Sequence, residues 1–235
     1  MINKKIALVT GAKRGLGFAT SEALAEMGYT VILVGRGKKE IEAQAEILKT
    51  KKLDVVGFYC DITKDSDVSK LKSFVAENFG KLDVLVNNAG VFNEVMGESS
   101  VFTTTAVVVK ETFETNTLGT FRVMNALSDL LKKSNEAQVV NVSSGMGQLS
   151  EMNGAFPGYR LSKTAMNALT KIYAEEFGDT VKVNSICPGW VKTEMGGAGA
   201  ERTIPEGIKG IVWAATLPAN GPTGGFYRDG ERLDW

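Results

Sequence analysis

The chain is 235 residues long, enough for one or at most two domains with a full core, and its 27 lysines and arginines are balanced by 27 aspartates and glutamates. Zero net charge argues against a nucleic-acid partner, which selects for a basic excess. The complete absence of histidine excludes Ser-His-Asp and Cys-His nucleophiles, histidine-bearing zinc sites and imidazole pH switches, so a catalyst here needs another proton carrier.

In chain order, Met1 to Thr10 carries only a short apolar stretch before glycine-rich sequence, unlike a secretory signal, and no run approaches a membrane span. The expectation is a soluble, cytoplasmic protein with no membrane partner. Cys60 and Cys187 are too few for a disulfide scaffold and read as reduced thiols. Strands are predicted at Lys5 to Thr10, Thr30 to Val34, Asp54 to Tyr59, Leu82 to Val86, Gln138 to Val142 and Val181 to Ile186. Helical patterns fall at Leu16 to Met27, Glu40 to Lys51, Asp65 to Asn78, Asn116 to Lys132, Tyr159 to Phe177 and Glu206 to Leu217. Nearly continuous apolar strands alternating with helices predict right-handed βαβ units in one doubly wound α/β domain spanning residues 1–235, with a mobile substrate loop at about 189–204.

The first strand ends in Thr10-Gly11-Ala12-Lys13-Arg14-Gly15-Leu16-Gly17 and passes directly into a helix. Glycines there allow a sharp turn and close backbone approach, and the helix N-terminus presents free N–H groups to a pyrophosphate. Glycine spacing alone is also met in a plain tight turn. At the end of the second strand, where an acidic residue would take the ribose hydroxyls of NAD, stands Arg36. A guanidinium at that place suits a 2′-phosphate, with Arg14 approaching from the other side, which predicts NADPH/NADP+ as cofactor. Tyr159 and Lys163 lie four apart on one helical face, where an ammonium would lower the phenol pKa toward neutrality.

The TGxxxGxG loop, Asn87-Asn88-Ala89-Gly90, Asn116 in Thr115-Asn116-Thr117, Ser143-Ser144, Tyr159-Arg160-Leu161-Ser162-Lys163 and Pro188-Gly189, in that order over about residues 5 to 195, resemble the short-chain dehydrogenase/reductase family. Cys187-Pro188-Gly189-Trp190-Val191-Lys192-Thr193 and the glycine-rich tail look most like its NADPH-dependent carbonyl reductase branch. The resemblance implies a single Rossmann domain with a mostly parallel sheet of about seven strands, order 3-2-1-4-5-6-7, and helices on both faces. It further implies that Gly11, Lys13, Arg14, Gly15, Leu16, Gly17, Arg36, Asn88, Ala89, Gly90, Tyr159, Lys163, Pro188, Gly189, Val191 and Thr193 contact the cofactor. Asp61 and Ile62 match the family's adenine-contacting pair, although Asp61 reads equally as a helix cap. Asn88 reads both as a loop anchor and as a sheet-stabilising amide.

For catalysis the resemblance implies Tyr159 as proton donor, Ser144 as donor to the substrate oxygen, Lys163 as the group that tunes the phenol and Asn116 as the holder of a relay water. No metal site is expected. The expected reaction is reduction of a ketone or aldehyde to the alcohol; the alternatives are a silent NADP(H)-sensing protein, an alcohol dehydrogenase, or a reductase of C=C or C=N bonds. Phe92, Met146, Leu149, Met152, Phe156, Trp190 and Met195 predict an apolar small-molecule substrate, with Gly196 to Gly199 as a lid. Trp213 reads as core and Cys187 as a small buried apolar residue. The stretch between Ser144 and Tyr159 exceeds the commonest family spacing and predicts a bulge beside the site. Lacking the long insertion associated in this branch with monomers, the chain is expected to form dimers or tetramers.

Overall fold

The computed structural model describes residues 4–95 and 97–235. Residues 1–3, at the start of the segment read as lacking a signal, lie outside that range. Six of the strands are those predicted: β1 (Ile6–Thr10), β2 (Thr30–Gly35), β3 (Val55–Tyr59), β4 (Val84–Asn87), β5 (Ala137–Val142) and β6 (Val181–Ile186). Alternate side chains feed two separate cores, as the two-residue repeat of a strand requires. Ile6, Leu8, Ile32, Leu85, Val139 and Val183 pack on one face against α3 (Asp65–Phe79), α5 (Thr120–Leu131) and α6 (Pro157–Phe177). Ala7, Val9, Leu33, Val86 and Val140 pack on the other against α1 (Gly15–Glu26), α2 (Lys38–Thr50) and α7 (Ile204–Ala215). This two-sided burial explains the apolar runs of β1 to β3, while the buried polar residues of β4 to β6, such as Asn87, Asn141 and Ser185, are hydrogen-bonded to one another or to α6.

Among the described residues the sheet has eight strands, in the order β3-β2-β1-β4-β5-β6-β7-β8, rather than about seven. β7 (Phe226–Arg228) continues the parallel set, and β8 (Glu231–Arg232) returns antiparallel to it through Asp229 and Gly230, both at positive φ. That Asp-Gly pair is the hairpin signal that could have revealed the extra strand. The order reverses direction at β1 and β4, and the crevice beyond the carboxyl ends of these strands is where such sheets receive ligands.

One helix departs from expectation. The segment read as a single helix from Asn116 starts instead with α4 (Ala106–Phe113), passes through a π-helical turn at Glu114–Gly119, and continues as α5. Thr105 caps α4 by accepting from the Val108 N–H, but the β-branched run Val107-Val108-Val109 hides a helical pattern. Trp213 is partly buried and packs edge-on against Tyr227, with ring centroids 5.2 Å apart. No helix among the described residues is long and apolar enough to cross a membrane.

Candidate active site

The glycine turn after β1 is locked from beneath by the segment after β4. Thr10 Oγ1 accepts from the main-chain N–H groups of Asn88 and Ala89, each at 3.0 Å, while Asn88 Nδ2 donates to the carbonyls of Thr10 (2.9 Å) and Gly11 (3.2 Å). Asn88 is therefore the loop anchor. Gly11 has φ +65°, and a methyl there would lie 2.8 Å from Ala89 Cα; one on Gly17 would overlap Asn88 Nδ2. Only glycine lets these segments touch. α1 opens beyond Arg14 with no side-chain cap and no acidic residue in its first turn, which leaves its N–H groups for an anion.

The basic residues divide. Arg14 does not stand free for a phosphate: it is ion-paired with Glu194, from the loop after β6, so that pair spans the cleft mouth. Lys13 packs beside Gly35 at the end of β2, next to exposed Arg36. Neither has a carboxylate partner among the described residues. Asp61 Oδ1 accepts from the N–H and hydroxyl of Thr63, forming a local turn, whereas Ile62 is buried against Gly119 in the core. The cap position of α3 is held by Lys64, not by Asp61.

Tyr159, Lys163 and Ser144 meet on the far side of the cleft. Ser144 Oγ accepts from the Met146 N–H (3.1 Å), which leaves its own proton to face the Tyr159 phenol. Ser143 turns away, its hydroxyl 2.6 Å from Asn167 Oδ1, as strand alternation requires. The extra length before Tyr159 begins as a 3₁₀ turn, Gly145–Gly147, lying so close on α6 that a methyl at Gly147 would stand 2.7 Å from the Lys163 main chain. Lys163 is 4% exposed; its Nζ donates to the Val142 carbonyl (2.8 Å) and lies 5.5 Å from the Tyr159 ring centre.

The electrostatics correct the sequence expectation. Burial pushes the Tyr159 phenol well above its ordinary value, Cys187 adds to that, and the Ser144 hydroxyl pulls the other way. Lys163 does not win this contest. Its own ammonium is disfavoured by burial, which brings it down to about 8. The site thus holds a protonated phenol beside a loosely protonated lysine.

Asn116 sits in the π-helical turn, a distortion concentrated at functional sites. Its Oδ1 accepts from the Val91 N–H (2.8 Å), and its Nδ2 donates to the Val91 carbonyl and Ser162 Oγ, both at 3.0 Å. The side chain ties β4's loop to α6, and the main-chain carbonyl accepts from Thr120 Oγ1 at 2.9 Å.

A cleft of about 1680 Å³ joins the cradle to the Tyr159 side. Of the predicted residues, Gly11, Arg14, Gly15, Leu16, Gly17, Asn88, Ala89, Gly90, Ser144, Tyr159, Lys163, Pro188, Gly189, Val191 and Thr193 line it; Lys13, Arg36, Asp61, Ile62 and Asn116 do not. Phe92, Met146, Phe156, Trp190 and Met195 supply apolar walls, while Leu149 and Met152 point elsewhere and are exposed. The expected lid is pinned as well as glycine-rich, because Trp190 Nε1 donates to the Gly196 carbonyl (2.8 Å). Cys187 is buried but not merely apolar: its sulfur accepts from the Gly145 N–H and from Arg228, each at 3.1 Å.

Two contributors escaped the sequence reading, Arg228 and Glu94. Glu94 is buried, and its two carboxylate oxygens accept from the N–H groups of Gly158 (3.0 Å) and Tyr159 (2.8 Å). Phe156, at the cap position with φ +53°, has no side-chain acceptor, so a carboxylate from a distant loop caps α6 and fixes the Tyr159 backbone. Glu94→Gln keeps the shape but removes the charge. It is expected to cost about 1–2 kcal/mol, lowering Tm by about 2–8 °C, and to reduce kcat more than it raises KM. A melt and kinetics matching the parent protein would remove Glu94 from the site.

A family model described as short chain dehydrogenase matches residues 5–203. Carbonyl reductase (NADPH) 1 of Sus scrofa is 30% identical, over 99% of this chain and 95% of that protein. The solved structure of salutaridine reductase from Papaver somniferum superposes with a TM-score of 0.86 at 28% identity, over 95% of this chain and 99% of that one. A short chain dehydrogenase from Escherichia coli, complexed with NADPH, superposes with a TM-score of 0.88 at 25% identity, over 97% of each chain.

Proposed function

This chain belongs to the short-chain dehydrogenase family, and from that premise we propose that it reduces a ketone or aldehyde to the alcohol with NADPH. One observation carries the reading: the Tyr159 phenol, the Ser144 hydroxyl and buried Lys163, whose Nζ is held on the Val142 carbonyl, line one cleft together with the glycine cradle. The glycine contacts that no methyl could share, the uncapped α1 terminus and the unpaired Lys13 and Arg36 fit a dinucleotide with an extra phosphate. Salutaridine reductase and pig carbonyl reductase, by their names, act in the same sense.

NADPH, held by the glycine turn and the α1 terminus, would when bound supply hydride for the carbonyl carbon. Ser144 Oγ donates to the carbonyl oxygen and stabilises the charge that grows there. Tyr159 gives its proton to that oxygen and is left as phenolate, which costs little only while the Lys163 ammonium stands beside it. Lys163 then returns a proton to Tyr159, and the main chain at Asn116 borders the route by which water would recharge it. Phe92, whose ring centre is 4.9 Å from that of Tyr159, keeps the phenol dry and oriented. The apolar walls fit an aromatic or aliphatic carbonyl compound.

Absorbance of NADPH followed over a panel of ketones and aldehydes tests the reaction. Tight NADPH binding with no consumption across the panel would replace it with a nucleotide-sensing role. The cofactor choice has its own test: Arg36→Ala is expected to raise KM for NADPH about 10- to 100-fold, from the loss of a charged hydrogen bond to the 2′-phosphate, with far less effect on NADH. An unchanged NADPH value counts against it.

The exposed apolar side chains Val107 on α4, Phe121 on α5 and Leu161 and Ile172 on α6 would seat a second copy, giving a dimer or tetramer. Sedimentation velocity showing only monomer at micromolar concentration would rule this out.

A further inference from the structure

Three arginines border the cleft, and two of them are neutralised. Arg14 is paired with Glu194, and Arg202 grips Asp229 through two bonds of 2.7 Å. Arg228, the last residue of β7, has no carboxylate within ion-pair distance among the described residues. Its Nη2 donates to Cys187 Sγ at 3.1 Å, a weak acceptor, and its buried Nε has no partner. The group is only partly exposed, unlike Lys192 at the rim, which is solvated. A guanidinium drawn out of water without a counter-charge is costly unless a ligand completes it.

Its position gives that ligand an address. Cys187 Sγ also accepts from the N–H of Gly145, the residue after Ser144, and a methyl on Gly145 would stand 2.9 Å from Arg228 Nη2. The guanidinium therefore lies against the turn that carries Ser144 and on the wall of the same cleft. A smaller space of about 500 Å³ opens behind the same turn, bordered by Arg228 and by Arg160, which is 7% exposed and donates only to main-chain carbonyls. Glu151, which also borders it, is exposed to solvent.

We propose that Arg228 is a specificity residue that receives an anionic oxygen group, a carboxylate in the first instance, carried by the carbonyl substrate. This rests on the carbonyl-reduction reading and narrows it: the substrate is a keto acid whose apolar body lies against Phe92, Phe156 and Trp190. The planar fork of an arginine matches a carboxylate in two-point contact; Asp229 and Glu231 lie nearby in the β7–β8 hairpin, but neither pairs with Arg228 among the described residues.

The test uses the full chain with NADPH and a series of aryl keto acids, the carboxylate one to four carbons from the ketone, each beside its methyl ester. At least one acid is expected to exceed its ester in kcat/KM by about 10- to 100-fold. Arg228→Gln is expected to abolish most of that ratio and Arg228→Lys to keep part of it. Esters preferred throughout, or an acid preference that survives in Arg228→Gln, overturns the proposal. Quenching of tryptophan fluorescence by the acids, with Trp190 in the cleft wall, reads binding apart from turnover. If nothing is reduced but the acids quench the parent protein and not Arg228→Gln, the anion site stands and the reduction reading fails. If neutral ketones are reduced while the acids gain no advantage and do not quench, the anion site fails alone. Should Arg228→Gln melt well below the parent, Arg228→Lys decides: an acid-to-ester ratio and quenching that are reduced but still present support a cation receiving the acid at this position, and a ratio unchanged from the parent, or no acid effect in either protein, sinks it.

Discussion

Tyr159→Phe is expected to lower kcat for carbonyl reduction by about 10²- to 10⁴-fold, the range spanned by a positioned general acid, while NADPH affinity falls far less. The substitution removes one hydroxyl and keeps the ring, whose centre lies 4.9 Å from that of Phe92. The site around it is unchanged: Glu94 holds the residue by its main-chain N–H, which phenylalanine also has. Because burial holds the phenol pKa above its ordinary value, the proton stays on Tyr159 through neutral pH, and reduction by the parent protein should not fall off from loss of that acid below the alkaline range. The reverse reaction needs phenolate, so oxidation of the product alcohol should climb with pH where reduction does not. Stopped-flow measurement of NADPH consumption and a fluorescence titration of NADPH separate the two effects. Parent-like turnover in Tyr159→Phe would falsify the proton-donor assignment.

How much of this was legible in the sequence follows from how local each feature is. The cradle was readable because a glycine turn between a buried strand and a helix is specified by neighbours in the chain. The same holds for Tyr159 and Lys163, which one helical face brings together. Arg14 was legible as a cation but not as half of an ion pair, because Glu194 comes from a loop remote in sequence. Glu94 gave no signal at all: it caps a helix 64 residues away, and the sign that a remote cap was required was negative, the lack of Ser, Thr, Asp or Asn before Pro157. Arg228 likewise reaches Cys187 only because β7 lies beside β6 in the sheet. The direction of the Tyr159 shift was misread for a related reason. Residue spacing shows that a lysine is near, whereas the burial that raises the phenol, and the further electrostatic push from Cys187, depend on segments remote in sequence.

Lys163→Met should move activity and stability in opposite directions. Removing the ammonium leaves the Tyr159 phenolate without a counter-charge and without its proton supply, so kcat is expected to fall by about 100-fold or more. Stability behaves differently, because Lys163 is a burden on the fold. Its proton is held at about 8 in the folded chain against 10.5 when unperturbed, with burial as the cause. Between these values the unfolded chain binds more protons than the folded one, so stability rises as pH rises through the window, and the penalty is full below about 8. Its size is of order 3 kcal/mol at neutral pH, offset in part because methionine leaves the Val142 carbonyl without its Nζ donor. The variant should therefore melt about 2–6 °C above the parent protein at pH 7, and that advantage should shrink toward zero by about pH 10, where the parent lysine is neutral in the folded state at little cost. Melting curves at pH 7 and pH 10 give the answer. A variant that is destabilised at pH 7, or one whose margin over the parent grows with pH, would show that the fold holds Lys163 charged and well compensated rather than as a burden.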